Sequence, residues 1–304
     1  MNYEGQICRA PMERGSFMLP VQVGCSYNGC RFCTLFKHLQ FRILPREQVK
    51  AELERVKGLG GDPKRVFLGD GSAFDLETDR LLDIASMVHE AFPGCTEIAM
   101  DSSVRGIASK TDEELQALAD AGVKRLYVGI ETGLDDVLTF MAKGATAGDA
   151  RLQTARIATA GIEFGAHIMT GVAGEGRGLE NARATAALLN ETRPAAICNF
   201  SMFVGRRAPL WKSVMDGSFR PAPLAEAMEE ERLLIELLDI ETDYDGFQDI
   251  IEFRTRGRLP QDREKMLKNL DAAIEKYKAQ PPIYTCTEDP TGAVFRDQAA
   301  SAGK

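Results

Sequence analysis

The chain reads as an α/β protein: an open, partial (β/α)6 barrel of TIM type followed by a C-terminal helical extension. Three observations predict this. Strand-like and helix-like patterns alternate between residues 16 and 240, which implies a parallel sheet with helices outside it. The polar or glycine-rich segments all follow strands, where barrel folds collect their chemistry. Two final helical patterns, near 224–239 and 261–277, supply no further strands, so the barrel stays at six units and open. The organisation expected is a lead-in over 1–15, a partial-barrel domain over 16–240, and a helical extension with a tail over 241–304.

Taken in order, residues 16–24 form an apolar strand pattern leading into a cysteine-rich loop. In the helix that follows, Val49, Leu53 and Val56 share one face, Pro45 suits the first turn and Gly58 the end. Arg65–Leu68 is a short buried strand followed by Gly69-Asp70-Gly71-Ser72, and the next helix aligns Leu81, Ala85, Val88 and Phe92. Glu97–Met100 is a weaker strand that runs into Asp101-Ser102-Ser103. Thr111-x-x-Glu114 is a capping box opening a helix that ends at Gly122. Arg125–Ile130 is a strand ending in Glu131-Thr132-Gly133, and residues 146–160 are helical. Glu163–Thr170 is a strand ending in Gly171-Val172-Ala173-Gly174, residues 179–190 are helical, and Ala195–Val204 is the sixth strand. An irregular stretch with Pro209, Pro221 and Pro223 follows.

Composition narrows the function classes. The chain has 304 residues, of which 44% are hydrophobic, so a substantial core can form. Its apolar runs are too short for a membrane span, and the first residues lack a secretory pattern. Seven cysteines, irregularly placed, argue against a disulfide framework and for a reducing, cytoplasmic setting. A net charge of −8 argues against a nucleic-acid substrate. The run Glu229-Glu230-Glu231, within a helical pattern, is expected to mark a solvated face.

The densest chemistry lies in Cys25-Ser26-Tyr27-Asn28-Gly29-Cys30-Arg31-Phe32-Cys33, a C-x4-C-x2-C loop. Three thiolates on one loop can hold three irons of a cubane cluster and leave the fourth open, where Fe–S clusters are usually tied by four. This loop, with Phe41-Arg42 beyond it and the segments after the second, fourth and fifth strands, resembles the radical S-adenosylmethionine (SAM) superfamily, and within it the Elp3/MiaB/NifB-type branch of Fe–S oxidoreductases. The likeness covers roughly residues 10 to 270, with one residue more between the first two cysteines than the superfamily's usual C-x3-C-x2-C.

The resemblance implies a [4Fe–4S] cluster on Cys25, Cys30 and Cys33, with SAM as second cofactor. It implies a radical SAM enzyme in which the reduced cluster cleaves SAM to a 5′-deoxyadenosyl radical. That radical abstracts hydrogen from, or initiates group transfer to, a small-molecule or peptide substrate. An electron donor such as a flavodoxin or ferredoxin is implied as partner. By the same likeness Phe32 packs near the adenine, and Gly69, Asp70 and Gly71 meet the SAM ammonium group. Glu131 takes the ribose hydroxyls, Lys143 of Met141-Ala142-Lys143-Gly144 reaches the SAM carboxylate, and Gly171 lines the adenine. The acid of that last motif is displaced to Glu175. Methylthiotransferase relatives add further cluster and RNA-binding domains, for which the stretch from Glu264 onward offers neither a three-cysteine set nor a basic sheet.

Other readings stand beside these. With His38 the loop could supply a Cys3His zinc knuckle, making a noncatalytic Fe–S or zinc-binding protein that senses redox state or scaffolds a partner. Gly69-Asp70-Gly71 also suits an ordinary turn, Glu131 a charge at a helix N-terminus and Lys143 a cation at a helix end. Asp101, Ser102 and Ser103 either contact SAM or substrate or begin a loop. His167 either faces the barrel interior as a substrate-site residue or is a satisfied core histidine. Cys8, Cys95 and Cys198 read as small buried hydrophobes, and Cys286, near Tyr284, as either that or a radical relay or ligand. Arg206 and Arg207 either bind an anionic substrate group or form a solvated pair, and Trp211 is a substrate-loop or packing residue.

Overall fold

The computed structural model describes residues 3–4, 8–248 and 250–287. The sheet opens with β1 (Phe17–Pro20), and the chain then enters a separate hairpin, β2 (Gln22–Val23) with β3 (Arg42–Ile43). The single strand expected over 16–24 is thus divided. Pro20 has no N–H for a ladder, and the Val21 N–H turns to the Gly69 carbonyl. The alternation then runs α1 (Arg46–Gly58), β4 (Arg65–Gly69), α2 (Thr78–Ala91) and β5 (Glu97–Ser103). It continues through α3 (Val104–Ala108), α4 (Asp112–Asp120), β6 (Val123–Glu131), α5 (Asp135–Phe140), α6 (Ala147–Thr159) and β7 (Glu163–Thr170). Then come α7 (Gly178–Thr192), β8 (Ala196–Ser201), α8 (Trp211–Met215) and α9 (Leu224–Leu237). The Thr111/Glu114 capping box is formed, and Thr146 with Asp149 makes a second at the start of α6.

The region after α9 departs from the purely helical extension expected there. Two strands, β9 (Thr242–Gln248) and β10 (Phe253–Leu259), precede α10 (Arg263–Lys278). The sheet runs β1-β4-β5-β6-β7-β8-β9-β10, parallel through β9 with β10 antiparallel at the edge. The barrel is open, as expected, and longer by two strands. Asp and Gly are weak strand formers, and with the charged Arg residues they hide the pattern of Asp243-Tyr244-Asp245-Gly246 and Arg254-Thr255-Arg256-Gly257-Arg258. Opposite charges across the ladder offset this: Arg254 pairs with Asp245, and Arg258 lies 3.7 Å from Asp243. Residues 288–304 of the expected tail lie outside the described residues. Among the described residues no helix is long and apolar enough to cross a membrane.

Strand alternation sends side chains to two faces. Leu19, Val66, Leu68, Ile98, Leu126 and Ile168 pack with the helices in the main core. Met18, Phe67, Ala99, Tyr127, Ala196 and Cys198 form a second core on the concave face, completed by Ala10 and Met12 of the N-terminal segment. Glu13 anchors that segment. It is fully buried and accepts from Arg65 and from the Tyr127 hydroxyl, each at 2.7 Å. A buried carboxylate persists only with such partners, so the stretch from Ala10 to Glu13 plugs the concave face.

The acidic run contradicts its expected solvation. Glu230 and Glu231 are 1% and 0% exposed, and only Glu229 reaches the surface, where it pairs with Lys278. α9 is wedged between α7 and α10, so neighbouring residues point into different contacts. Glu230 accepts from the Gly171 N–H at 2.8 Å and the Asn181 amide at 2.5 Å. Glu231 accepts from the Tyr244 hydroxyl and the Gln248 amide, both at 3.1 Å. Burial pushes the Glu230 carboxyl up to about 8 and Glu231 up to about 7, against a usual 4.5. Between 4.5 and about 8 the unfolded chain has released protons that the native chain retains, so stability falls as pH rises. Glu230→Gln is expected to flatten that fall, raising the urea midpoint more at the alkaline end of the window than at the acid end. An equal shift at both ends would contradict the assignment.

Candidate active site

The cysteine loop is held in place by its non-cysteine residues. The Tyr27 hydroxyl donates to the Ala142 carbonyl at 2.5 Å, the Arg31 N–H to Met141 at 2.9 Å and the Arg31 guanidinium to Phe140 at 3.0 Å. Asn28 sits at φ +42°, a left-handed conformation that Asn tolerates, and its amide closes the loop onto the Phe36 carbonyl at 3.0 Å. From the other side the Arg31 carbonyl accepts from the Leu210 N–H at 2.8 Å. Cys25, Cys30 and Cys33 are free thiols of intermediate exposure on this frame. Burial pushes the Cys30 and Cys33 thiols up, and the Lys143 ammonium opposes that at Cys30.

The turn after β4 lies directly against the loop. A Cβ on Gly71 would fall 2.4 Å from the Gly24 carbonyl oxygen and 3.0 Å from the Cys25 Cα, and φ there is +50°. Only glycine permits that approach. Gln22 fixes the turn by donating to the Asp70 carbonyl at 2.5 Å. The Asp70 side chain is buried, and its Oδ1 has no hydrogen-bond partner among the described residues. Burial pushes this carboxyl up to about 6 despite the N–H groups of Gly71 and Gly24.

Glu131 ends β6 at φ +64° and meets the Lys143 ammonium at 2.5 Å, with both side chains nearly buried. Burial alone would lower the Lys143 ammonium, but Glu131, and Cys30 beyond it, hold it above the usual lysine range. Lys143 directly follows Ala142, the acceptor for Tyr27, so the ion pair and the cysteine loop share one support. Phe32 packs into an apolar cluster with Val137, Met141 and Val172. The Gly171 N–H donates to Glu230, and Val172 and Ala173 of that loop share the cluster with Phe32. A cavity of about 420 Å³ opens beyond this cluster, floored by the stacked rings of Phe140 and Phe219. Neither the cysteines nor Asp70 nor Glu131 line it.

The loop, the Gly69–Gly71 turn and the Glu131–Lys143 pair thus come together, with Phe32 beside them. Among the described residues no three His, Cys, Asp or Glu side chains converge to hold a single metal ion, and His38 is exposed. A cubane cluster would need no such convergence, because each of three thiolates would take a different iron. Of the remaining candidates, Ser103 caps α3 and bonds Asp75, Cys198 is buried, and Arg207 is exposed. Asp101 lies 3.0 Å from His167 on the concave face, a pairing that sequence order conceals.

The radical SAM superfamily's sequence profile matches residues 19–185. That is more than half of the chain, which therefore belongs to the radical SAM superfamily, a group of enzymes whose cofactors are a [4Fe–4S] cluster and SAM. Solved structures share the fold. Methylornithine synthase PylB matches with a TM-score of 0.54 and 14% identity over 87% of this chain and 85% of its own. The N-terminally truncated Elp3 of Methanocaldococcus infernus matches with 0.53 and 13% identity over 90% of this chain and 65% of its own. The radical SAM methyltransferase TsrM of Kitasatospora setae, solved with cobalamin and a [4Fe–4S] cluster, matches with 0.54 and 16% identity over 66% of this chain. The match takes in only 39% of the TsrM chain. No curated protein matches the sequence.

Removing one partner of a buried ion pair leaves the other charge uncompensated, typically at about 3–5 kcal/mol. Glu131→Ala in the apo chain is expected to lose stability on that order in urea denaturation. The double variant Glu131→Gln/Lys143→Met is expected to recover most of it, and equal losses in single and double variants would contradict the coupling.

Proposed function

We propose that Cys25, Cys30 and Cys33 carry a [4Fe–4S] cluster with one iron left for SAM, and that the enzyme acts on a small-molecule or peptide substrate. The observation that carries this reading is Asp70 Oδ1, buried and without a partner among the described residues, on a glycine turn pressed against the cysteine loop. A buried acceptor without a donor is costly, and an ammonium group supplies the donor and the charge it lacks. When bound, cluster and SAM together supply one-electron chemistry that yields a 5′-deoxyadenosyl radical for hydrogen abstraction or group transfer.

The residues position and shield. Tyr27 and Arg31 hold the thiols in register with Lys143. Asp70 takes the SAM ammonium group, with Gly69 and Gly71 allowing close backbone approach. Glu131 can accept from two ribose hydroxyls, and Lys143, drawn toward the carboxylate of SAM, exchanges part of its bond with Glu131. Phe32 and Val172 offer an apolar wall to the adenine. A low-potential donor of the flavodoxin or ferredoxin class delivers the electron.

Anaerobic reconstitution is expected to give brown protein with about four irons, and dithionite with SAM is expected to release 5′-deoxyadenosine. Each of Cys25→Ala, Cys30→Ala and Cys33→Ala should lose the chromophore. Asp70→Ala should keep the iron and bind SAM roughly tenfold to a hundredfold more weakly, the range of a hydrogen bond to a charged group. Colourless protein with one zinc, or SAM binding indifferent to Asp70, would overturn the reading.

A further inference from the structure

One carboxylate ties together three segments at the C-terminal end of the sheet. Asp75 closes a single turn of 3-10 helix, Ala73–Asp75, shortly after the Gly69–Gly71 turn. Its Oδ1 accepts from the Ser72 hydroxyl at 2.7 Å, and its Oδ2 from the Ser26 hydroxyl at 3.1 Å. Ser103, the last residue of β5, donates its hydroxyl to the same carboxylate at 3.0 Å and brings its N–H to 3.4 Å. An ionised carboxylate only accepts, and its two oxygens have lone pairs enough for all three hydroxyls.

Each serine carries a different part of the site. Ser26 directly follows Cys25. Ser72 directly follows Gly71, the residue whose missing side chain lets the turn reach the Cys25 backbone. The Ser103 hydroxyl accepts in turn from the Gly106 N–H at 2.9 Å and so caps α3. From α3 the Arg105 guanidinium lies 4.5 Å over the Tyr27 ring. A Cβ on Gly144 would fall 2.9 Å from the Tyr27 hydroxyl oxygen and 3.1 Å from Arg105 Cδ. Asp75 therefore reaches the cysteine loop twice, directly at Ser26 and through α3 at Tyr27. The other end of the loop has separate supports, because Arg31, between Cys30 and Cys33, is held by Phe140, Met141 and Leu210.

We propose that Asp75 is the positioning residue of Cys25, setting that thiol against the turn that carries Asp70. This rests on the cluster role proposed above for Cys25. Asp75 acts through the three hydroxyls, and its charge strengthens each bond they donate. Asparagine keeps the shape, accepting at one atom and donating at the other, and a hydroxyl can answer either. Alanine removes all three bonds.

Iodoacetamide labelling of the apo chain, limited to one adduct per chain and located by mass spectrometry, reads the three thiols separately. Asp75→Ala is expected to speed labelling at Cys25 roughly tenfold, the scale of a lost bond to a charged acceptor, and to leave Cys30 and Cys33 at their wild-type rates. Asp75→Asn is expected to restore most of the protection. Ser26→Ala, at an exposed position, is expected to repeat the effect at Cys25, and it decides the matter should Asp75→Ala not fold. A uniform rise at all three thiols, no rise at Cys25, or equal rates in Asp75→Asn and Asp75→Ala overturns the assignment. The same proteins are then reconstituted anaerobically. The expected result is that the electron paramagnetic resonance signal of the reduced cluster with SAM is altered or lost in Asp75→Ala. A signal identical to wild type overturns the positioning role. Wild-type protein that assembles no cluster refutes the cofactor reading instead, and the apo labelling then decides Asp75 alone.

Discussion

Residues 140–143 hold two things at once. The carbonyls of Phe140, Met141 and Ala142 receive Arg31 and Tyr27 and so set the cysteine loop, while the next side chain, Lys143, neutralises Glu131 at the end of β6. Three thiols and a buried ion pair are thereby indexed to one turn of backbone. Such a shared support matters because reactive geometry tolerates little error, and a misplacement of about 1 Å can cost about a hundredfold in rate. Tyr27, Asn28 and Arg31 are as much a part of the site as the cysteines they space.

Around that turn the fold trades apolar burial for placed polarity. The helix-facing side of the sheet is conventional packing of Leu, Ile and Val. The concave side is built from large rings set against residues without side chains: Tyr127 lies over Gly165, where a Cβ would meet its ring at 2.6 Å. Met12 and Glu13 close the lower part from the N-terminus, leaving Asp101, His167 and the Glu131–Lys143 pair toward the strands' C-terminal ends. Glu226 and Glu230 of α9 do a comparable service behind the sheet, accepting from the backbone N–H groups of Gly176 and Gly171 at 2.6 and 2.8 Å. The loop that carries Val172 is therefore fixed from its far side by these carboxyl groups.

Much of this was legible in the sequence, and the failures share a cause. β4, β6 and β7 announce themselves through runs of Val, Leu, Ile and Phe, and the cysteine spacing needs no structure to be noticed. β9 and β10 were hidden because their polar residues are satisfied by one another across the ladder, a compensation invisible in one dimension. Glu230 and Glu231 misled for the same reason: a charge run reads as solvated until its donors, contributed by Gly171, Asn181, Tyr244 and Gln248, are known. The Asp101–His167 contact joins residues 66 positions apart, on strands that are not neighbours in the sheet. Composition and periodicity report what a residue is, whereas these interactions depend on what it meets.

The central proposal is that Cys25, Cys30 and Cys33 would leave one iron of a bound cluster open for SAM. Electron–nuclear double resonance on the reduced, reconstituted protein, with SAM isotope-labelled in its amino and carboxylate groups, tests it most directly. Hyperfine coupling from both labels to the cluster spin is the result expected. SAM bound to the protein but magnetically silent at both positions would contradict it.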